Sequence, residues 1–138
     1  MRVGLIGCGK IAERHLGAYR KLGAHVTVTD IVERGREVAD RYGADWDPHP
    51  DRVIEGDFDA IDVCTPTPTH ASFIELALGA GKHVFCEKPL ARNLDEALAI
   101  EAAAVEAQRV VMVGYRYRFH PSFEFVHELL REGVIGEP

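Results

Sequence analysis

Cysteine is scarce in this chain: 138 residues carry only Cys8, Cys64 and Cys86. An odd count at these spacings fits neither a disulfide framework nor a zinc site. Each thiol lies at or near the end of an apolar run, so buried free thiols in a reducing cytoplasm are the expectation. At Cys8 a predicted helix N-terminus would activate a thiol; the alternative there is a side chain packed under the loop. Positive charge is also short, with 16 Lys and Arg against 22 Asp and Glu and a formal charge of −6. That balance argues against a nucleic-acid or membrane-surface partner. No apolar run reaches the ~20 residues of a membrane-spanning helix. The N-terminus has no basic region followed by a long apolar segment, so no signal peptide is expected and a cytoplasmic protein is. Internal repeats, low-complexity tracts and evident linkers are missing, as is the GxSxG elbow of a serine hydrolase.

What is present suits one globular domain, residues 1–138, with 46% apolar and 28% charged residues and enough length to bury a core. Strand and helix patterns alternate throughout, which predicts an α/β fold with a doubly wound parallel sheet. Helices are expected at about Lys10–Leu22, Val32–Tyr42 and from Thr69 to Gly79 or Gly81. Two more are expected from Asn93 to about Gln108 and from Pro121 to about Arg131, with a helical turn near Pro50–Glu55. Strands are expected at the N-terminus and at His25–Thr29, Ala60–Thr65, His83–Cys86 and Arg109–Tyr115, with a short one near Asp45. Asn93 followed by Glu96 resembles a capping box, and Pro121 suits a first helical turn.

The most informative stretch is VGLIGCGKIA, residues 3–12. An apolar strand ends at Gly7, a glycine turn follows, and a helix opens at Lys10. Gly7 permits the sharp turn, Gly9 lets a phosphate approach the backbone, and Ala12 lets the helix pack close to the sheet. The first helical N–H groups lack intrahelical partners and the dipole is positive there, so an anion is stabilised. The bland alternative is an ordinary glycine-rich turn.

A second strand ends in Asp30, about 20 residues past the turn, where a ribose-binding carboxylate is expected. Asp30 favours NAD because it would repel a 2′-phosphate. Arg34 leaves NADP open, since an arginine there can pair with that phosphate. The alternative is that Asp30 caps the next helix and Arg34 is a solvated charge. Polar groups also collect at the other predicted strand ends, at Thr65-Pro66, Glu87-Lys88-Pro89 and Tyr115-Arg116, where a doubly wound sheet holds its ligand.

Together, GLIGCGKIA, CTPTPTH at 64–70, CEKPL at 86–90 and GYRYRFHP at 114–121 resemble the Gfo/Idh/MocA oxidoreductases, the family of glucose–fructose oxidoreductase and inositol dehydrogenase. The resemblance covers essentially the whole chain, and EKP is its most specific part. It implies an NAD(P)-binding Rossmann domain. Backbone groups of Gly9, Lys10 and Ile11 would face the pyrophosphate, and Thr65, Pro66 and Thr67 would line the adenosine side with His70 close by. Glu87 and Lys88 would lie beside the nicotinamide, and the bond before Pro89 would be cis. Arg116 stands where many relatives carry asparagine, which puts that contact in doubt. Tyr117, Arg118 and Phe119 would bridge towards substrate.

Lys88 is the candidate catalytic residue, because a lysine beside a hydride-transfer site can polarise a substrate oxygen or help move its proton. Its alternative is a mere hydrogen-bonding or ion-pairing role. No metal is expected. His120, Glu124 and His127 share one face of the last helix without a further ligand, and His15, His25, His49 and His83 offer no ligand spacing. His70 reads as a helix-start residue with a backbone partner rather than a general base.

The resemblance also implies a C-terminal substrate domain, of which no part is expected within residues 1–138. Its docking face should be apolar, and a homodimer through that face is a further expectation. The expected function is the cofactor-binding half of an enzyme moving a hydride between nicotinamide and a secondary alcohol of a sugar, cyclitol or similar polyol. The alternatives are a stand-alone dinucleotide-binding module or sensor, and a domain for another adenosine ligand such as S-adenosylmethionine.

Overall fold

The computed structural model describes residues 1–136; Glu137 and Pro138, at the expected handover to a second domain, lie outside them. Six parallel strands form one sheet in the order β3-β2-β1-β4-β5-β6. They are β1 (Arg2–Ile6), β2 (His25–Thr29), β3 (Asp45–Trp46), β4 (Ala60–Val63), β5 (His83–Cys86) and β6 (Val111–Val113). The helices are α1 (Lys10–Leu22), α2 (Arg34–Tyr42), α3 (Pro50–Glu55), α4 (His70–Gly79), α5 (Leu94–Ala107) and α6 (Pro121–Arg131). The chain order reverses between β1 and β4, so a crevice opens at their C-terminal ends.

Alternation along the strands sorts the core into two clusters. Val3, Leu5, Val26 and Val28 face α1 and α2, where they meet Ala12, Leu16, Val38 and Ala39. Ile6, Ile61, Val63, Val84 and Cys86 face the other way, against Val53, Ile54, Ile74, Leu78 and Ile100. Asp62 lies between Ile61 and Val63, so it must point to the α1 side. Gly4 is required by this packing: a Cβ there would stand 2.5 Å from Val53 Cγ1 and 2.9 Å from Ile61 Cδ1.

Three expected boundaries shift for local reasons. The second helix begins at Arg34 rather than Val32, because the Val32 N–H donates to Asp30 Oδ1 at 3.1 Å and holds a turn. The fourth strand stops at Val63 rather than Thr65; Cys64 N–H still donates to Ile6 O, but Pro66 follows and has no N–H to give. The last strand spans Val111–Val113, shorter than Arg109–Tyr115. Gln108 leaves the preceding helix at φ 52°, and the Tyr115 N–H turns back to Val113 O at 2.7 Å. The Asn93 cap forms, with Oδ1 accepting the Glu96 N–H at 2.9 Å. Glu96 completes no reciprocal box: its carboxylate instead accepts the Arg92 N–H at 3.0 Å and pairs with that guanidinium.

The α1 side of β5 and β6 has no covering helix among the described residues. Met112, Tyr115, Tyr117 and Phe119 are exposed there, and Phe123, Phe125 and Val126 are exposed on α6. Together they make an exposed apolar surface. No helix among the described residues is long and apolar enough to cross a membrane.

Candidate functional site

The glycine turn closes the space between β1, β2 and β4. Gly7 has φ 96°, and a Cβ on it would lie 2.9 Å from the Cys64 carbonyl and from the Thr65 N. Its N–H donates to Thr29 O at 2.8 Å. Gly9 is the N-cap of α1 with no side-chain cap, and a Cβ there would meet nothing within 4 Å. The Gly9, Lys10 and Ile11 N–H groups have no partner among the described residues, whereas Ala12 N–H returns to Gly9 O at 3.0 Å. An open, unpaired set of donors at the positive end of a 13-residue helix is a fitting cradle for a pyrophosphate.

Asp30 ends β2 beside this cradle and holds it. Its Oδ2 accepts the Cys8 N–H at 2.6 Å while its Oδ1 accepts the Val32 N–H. A carboxylate has about four acceptor positions, so capacity for ribose hydroxyls remains. Asp30 holds the turn before α2 rather than capping that helix, whose N-cap is Glu33 with no side-chain cap. Arg34 is exposed at the first turn of α2 and forms no ion pair among the described residues. Burial, then Asp30, raise the Cys8 thiol to about 12. The loop thus packs this thiol rather than activating it. All three cysteines are free and buried.

The β4 loop and the EKP loop are joined by a histidine. Thr65, Pro66 and Thr67 rim the crevice, and Thr69 Oγ1 lies 2.8 Å from both Thr65 Oγ1 and Pro66 O. His70 is 1% exposed; its Nδ1 lies 2.9 Å from Pro89 O and its Nε2 2.8 Å from Thr65 O. His70 thus has the backbone partners expected of a helix-start residue, and its ring joins the two loops.

In the EKP loop neighbouring residues part company. The Lys88 side chain is exposed and the Lys88–Pro89 bond is cis. Glu87 turns inward, its Oε2 accepting the Lys88 N–H at 3.1 Å. Arg116 donates to Tyr117 Oη at 2.9 Å and lies over that ring at 4.7 Å. It borders a cavity of about 250 Å³ together with Ile11, Phe85 and Glu87.

A polar cluster that spacing did not reveal lies behind Glu87. Asp62 is fully buried, and its Oδ2 accepts from His15 Nδ1 at 2.8 Å and from the Tyr19 hydroxyl at 3.0 Å. His15 Nε2 lies 3.1 Å from Glu87 Oε1. The Cys64 thiol donates to Asp62 Oδ1 at 3.4 Å. Burial by itself would lower the His15 pKa; hydrogen bonding and charge from Asp62, then Glu87, outweigh it and raise the pKa above 6.5. Burial foremost, then Asp62, push the Tyr19 and Cys64 protons well above their ordinary range. His15, Asp62 and Cys64 bring ligand atoms together, yet these atoms already satisfy one another. The sequence signals were His15 and Tyr19 at i and i+4 on one helix face and a lone acid in the apolar strand AIDV. The helical trio His120, Glu124 and His127 forms no such cluster, and His120 Nδ1 accepts the Ser122 N–H as a helix cap.

Residues 1–115 match the family model described as an oxidoreductase family with an NAD-binding Rossmann fold, Gfo/Idh/MocA. The chain belongs to this family. Inositol 2-dehydrogenase 3 of Saccharopolyspora erythraea is 40% identical, over all of this chain and 43% of that protein. A 4-carboxy-2-hydroxymuconate-6-semialdehyde dehydrogenase of Sphingobium is 34% identical over 99% of this chain and 45% of its own length. Among solved structures, WlbA dehydrogenase of Chromobacterium violaceum, in complex with NADH and UDP-GlcNAcA, superposes with TM-score 0.89 at 28% identity. That match covers 96% of this chain and 40% of the other. The apo scyllo-inositol dehydrogenase of Lactobacillus casei gives TM-score 0.89 at 25% identity, over 99% and 42%. The Gfo/Idh/MocA chain described here thus spans less than half the length of these relatives.

Proposed function

We propose that this Gfo/Idh/MocA domain holds NAD across the β1–β4 crevice as the cofactor-binding half of a dehydrogenase. The carrying observation is the open row of unpaired N–H groups at Gly9, Lys10 and Ile11, set beside the Asp30 carboxylate. Gly7 shapes that row, Asp30 takes the ribose hydroxyls, and Arg34 is the residue through which NADP would be admitted. Thr65, Pro66 and Thr67 line the adenosine side. Glu87, Lys88 and Arg116 border the nicotinamide side, although Arg116 leans on Tyr117.

Bound nicotinamide supplies or accepts the hydride. The protein's share is orientation and proton handling: Lys88, exposed at the end of β5, polarises the substrate oxygen and helps move its proton. The substrate class we infer is a secondary alcohol of a sugar, cyclitol or similar polyol, supported by the inositol and sugar-nucleotide dehydrogenases among the relatives. The exposed apolar strip of Met112, Phe119, Phe123 and Phe125 is suited to cover by a substrate domain or by a second copy in a homodimer. The free thiols support a cytoplasmic setting.

Calorimetric titration with NADH, NADPH and S-adenosylmethionine tests the reading. NADH is expected to bind tightest; no NADH binding at about millimolar concentration, equivalent to ~4 kcal/mol, would remove it. Binding of NADH without turnover by any polypeptide that contains this domain would favour a non-catalytic module.

A further inference from the structure

His15 stands between two carboxylates, Asp62 and Glu87, that have no other basic partner among the described residues. Asp62 has no contact with water, and a buried carboxylate left unpaired is strongly destabilising. Three consecutive contacts run outward from it: Asp62 to His15, His15 to Glu87, and Glu87 to the Lys88 N–H. The ring plane of His15 is set by the edge of Phe85, with centroids 5.3 Å apart. Gly114 keeps room for the acid, since a Cβ there would lie 3.0 Å from Glu87 Oε1.

We propose that His15 is a positioning residue: held by Asp62, it turns the Glu87 carboxylate inward onto the Lys88 backbone N–H and so fixes the loop that presents the Lys88 side chain. A free Glu87 carboxylate would be drawn to the adjacent Lys88 ammonium and occupy it. The clamp keeps the acid facing the sheet and leaves the amine to the crevice. Its value for turnover rests on the functional reading above, whereas the clamp itself rests on geometry.

Several charged or titratable neighbours bear on this clamp, among them the buried Cys86 thiol, which feels both Asp62 and Glu87. Asp62 faces His15 from β4 and Cys64 from just past its end, Glu87 from the loop after β5, and Tyr19 reaches Asp62 from α1. Arg14, Tyr115 and Arg116 line the same cavity and are exposed. With both acids ionised, a doubly protonated ring donates to each. A neutral ring has one N–H and faces one carboxylate with a lone pair.

The test is nitrogen NMR of the His15 ring in the full 138-residue chain, with amide-exchange protection measured at Lys88 and at Val84, from pH 6 to 9. Protection at Lys88 is expected to fall about tenfold as His15 loses its proton while Val84, inside the sheet, holds. Unchanged protection at Lys88 through that titration overturns the clamp. His15→Gln, whose amide nitrogen reaches one acid only, is expected to speed Lys88 exchange about tenfold and leave Val84 unaffected. Equal acceleration at both amides would make His15 merely structural and overturn the proposal. If that variant does not fold, the pH series on the natural chain decides. NADH fluorescence titration of the same samples separates the two readings. Loss of NADH binding in the natural chain would overturn the cofactor reading, and the exchange data would still judge the clamp.

Discussion

The Cys8 backbone N–H donates to the Asp30 carboxylate at 2.6 Å, across 22 residues of sequence. One carboxylate therefore ties the glycine turn to the end of β2 and remains available to a ligand. Asp30→Ala removes both functions. NADH affinity is expected to fall by about tenfold or more, with NADPH affected less, and stability by roughly 1–3 kcal/mol. Calorimetry and urea melts measure the two effects. Equal losses for the two cofactors would refute the ribose assignment.

Gly7 and Gly9 are expected to fail differently. Gly7→Ala places a Cβ against the Cys64 and Thr65 backbone at positive φ, so stability should drop by roughly 1–3 kcal/mol. Gly9→Ala meets open space, so the melting curve should barely move. Its methyl group projects where a phosphate would approach, and NADH affinity should fall by about tenfold or more. A Gly9→Ala variant that binds NADH normally would remove the cradle.

Lys88→Met keeps the length of the side chain and deletes its charge. NADH dissociation constants in this chain should change by less than about threefold, under ~1 kcal/mol. Turnover in a polypeptide that includes the substrate-binding residues should fall by about a hundredfold or more. Unchanged turnover would take Lys88 out of the mechanism.

The raised pKa of His15 sets a pH dependence of stability. The folded state holds this proton more tightly than the unfolded chain does. The stabilisation is therefore complete below about 6.5, the unfolded value, and is lost as pH rises through the higher folded value. Melting temperatures should decline between pH 6 and 7.5, a window that ends before free thiols ionise appreciably. Glu87→Gln removes one of the two acids that raise the pKa and should flatten the decline. An identical slope in the variant would show that other groups cause it.

Cys8 and Cys86 are each raised to about 12, by burial first and then by neighbouring acids. Thiolate is the reactive form, so iodoacetamide at pH 7.5 should label neither cysteine in the folded chain on the timescale that labels the urea-unfolded chain. Rapid labelling of Cys8 in the folded chain, detected by mass spectrometry, would contradict the packed loop.

Local chemistry was legible in the residue order. Gly23 ends α1 in the left-handed conformation, Asn93 caps α5 and Pro121 opens α6. Each of these acts within a few residues, and so does the Gly7-Cys8-Gly9 turn. The alternation of apolar strand and amphipathic helix was enough to specify a parallel sheet, because each element must bury its apolar side. His15, Asp62 and Glu87 are different. They are separated by 47 and 72 residues from His15, and nothing in their spacing says that they touch. Only the sheet order places β1, β4 and β5 side by side, within reach of the His15 side chain on α1. There the strand alternation that buries Ile61 and Val63 on one face sends Asp62 to the other, and a buried acid requires a partner. The sequence by itself determined the glycine cradle and the elements that carry it. The tertiary structure decided that the Glu87 carboxylate turns inward to His15 and that His70 joins two loops, because those contacts depend on distances between strands that the chain order does not encode.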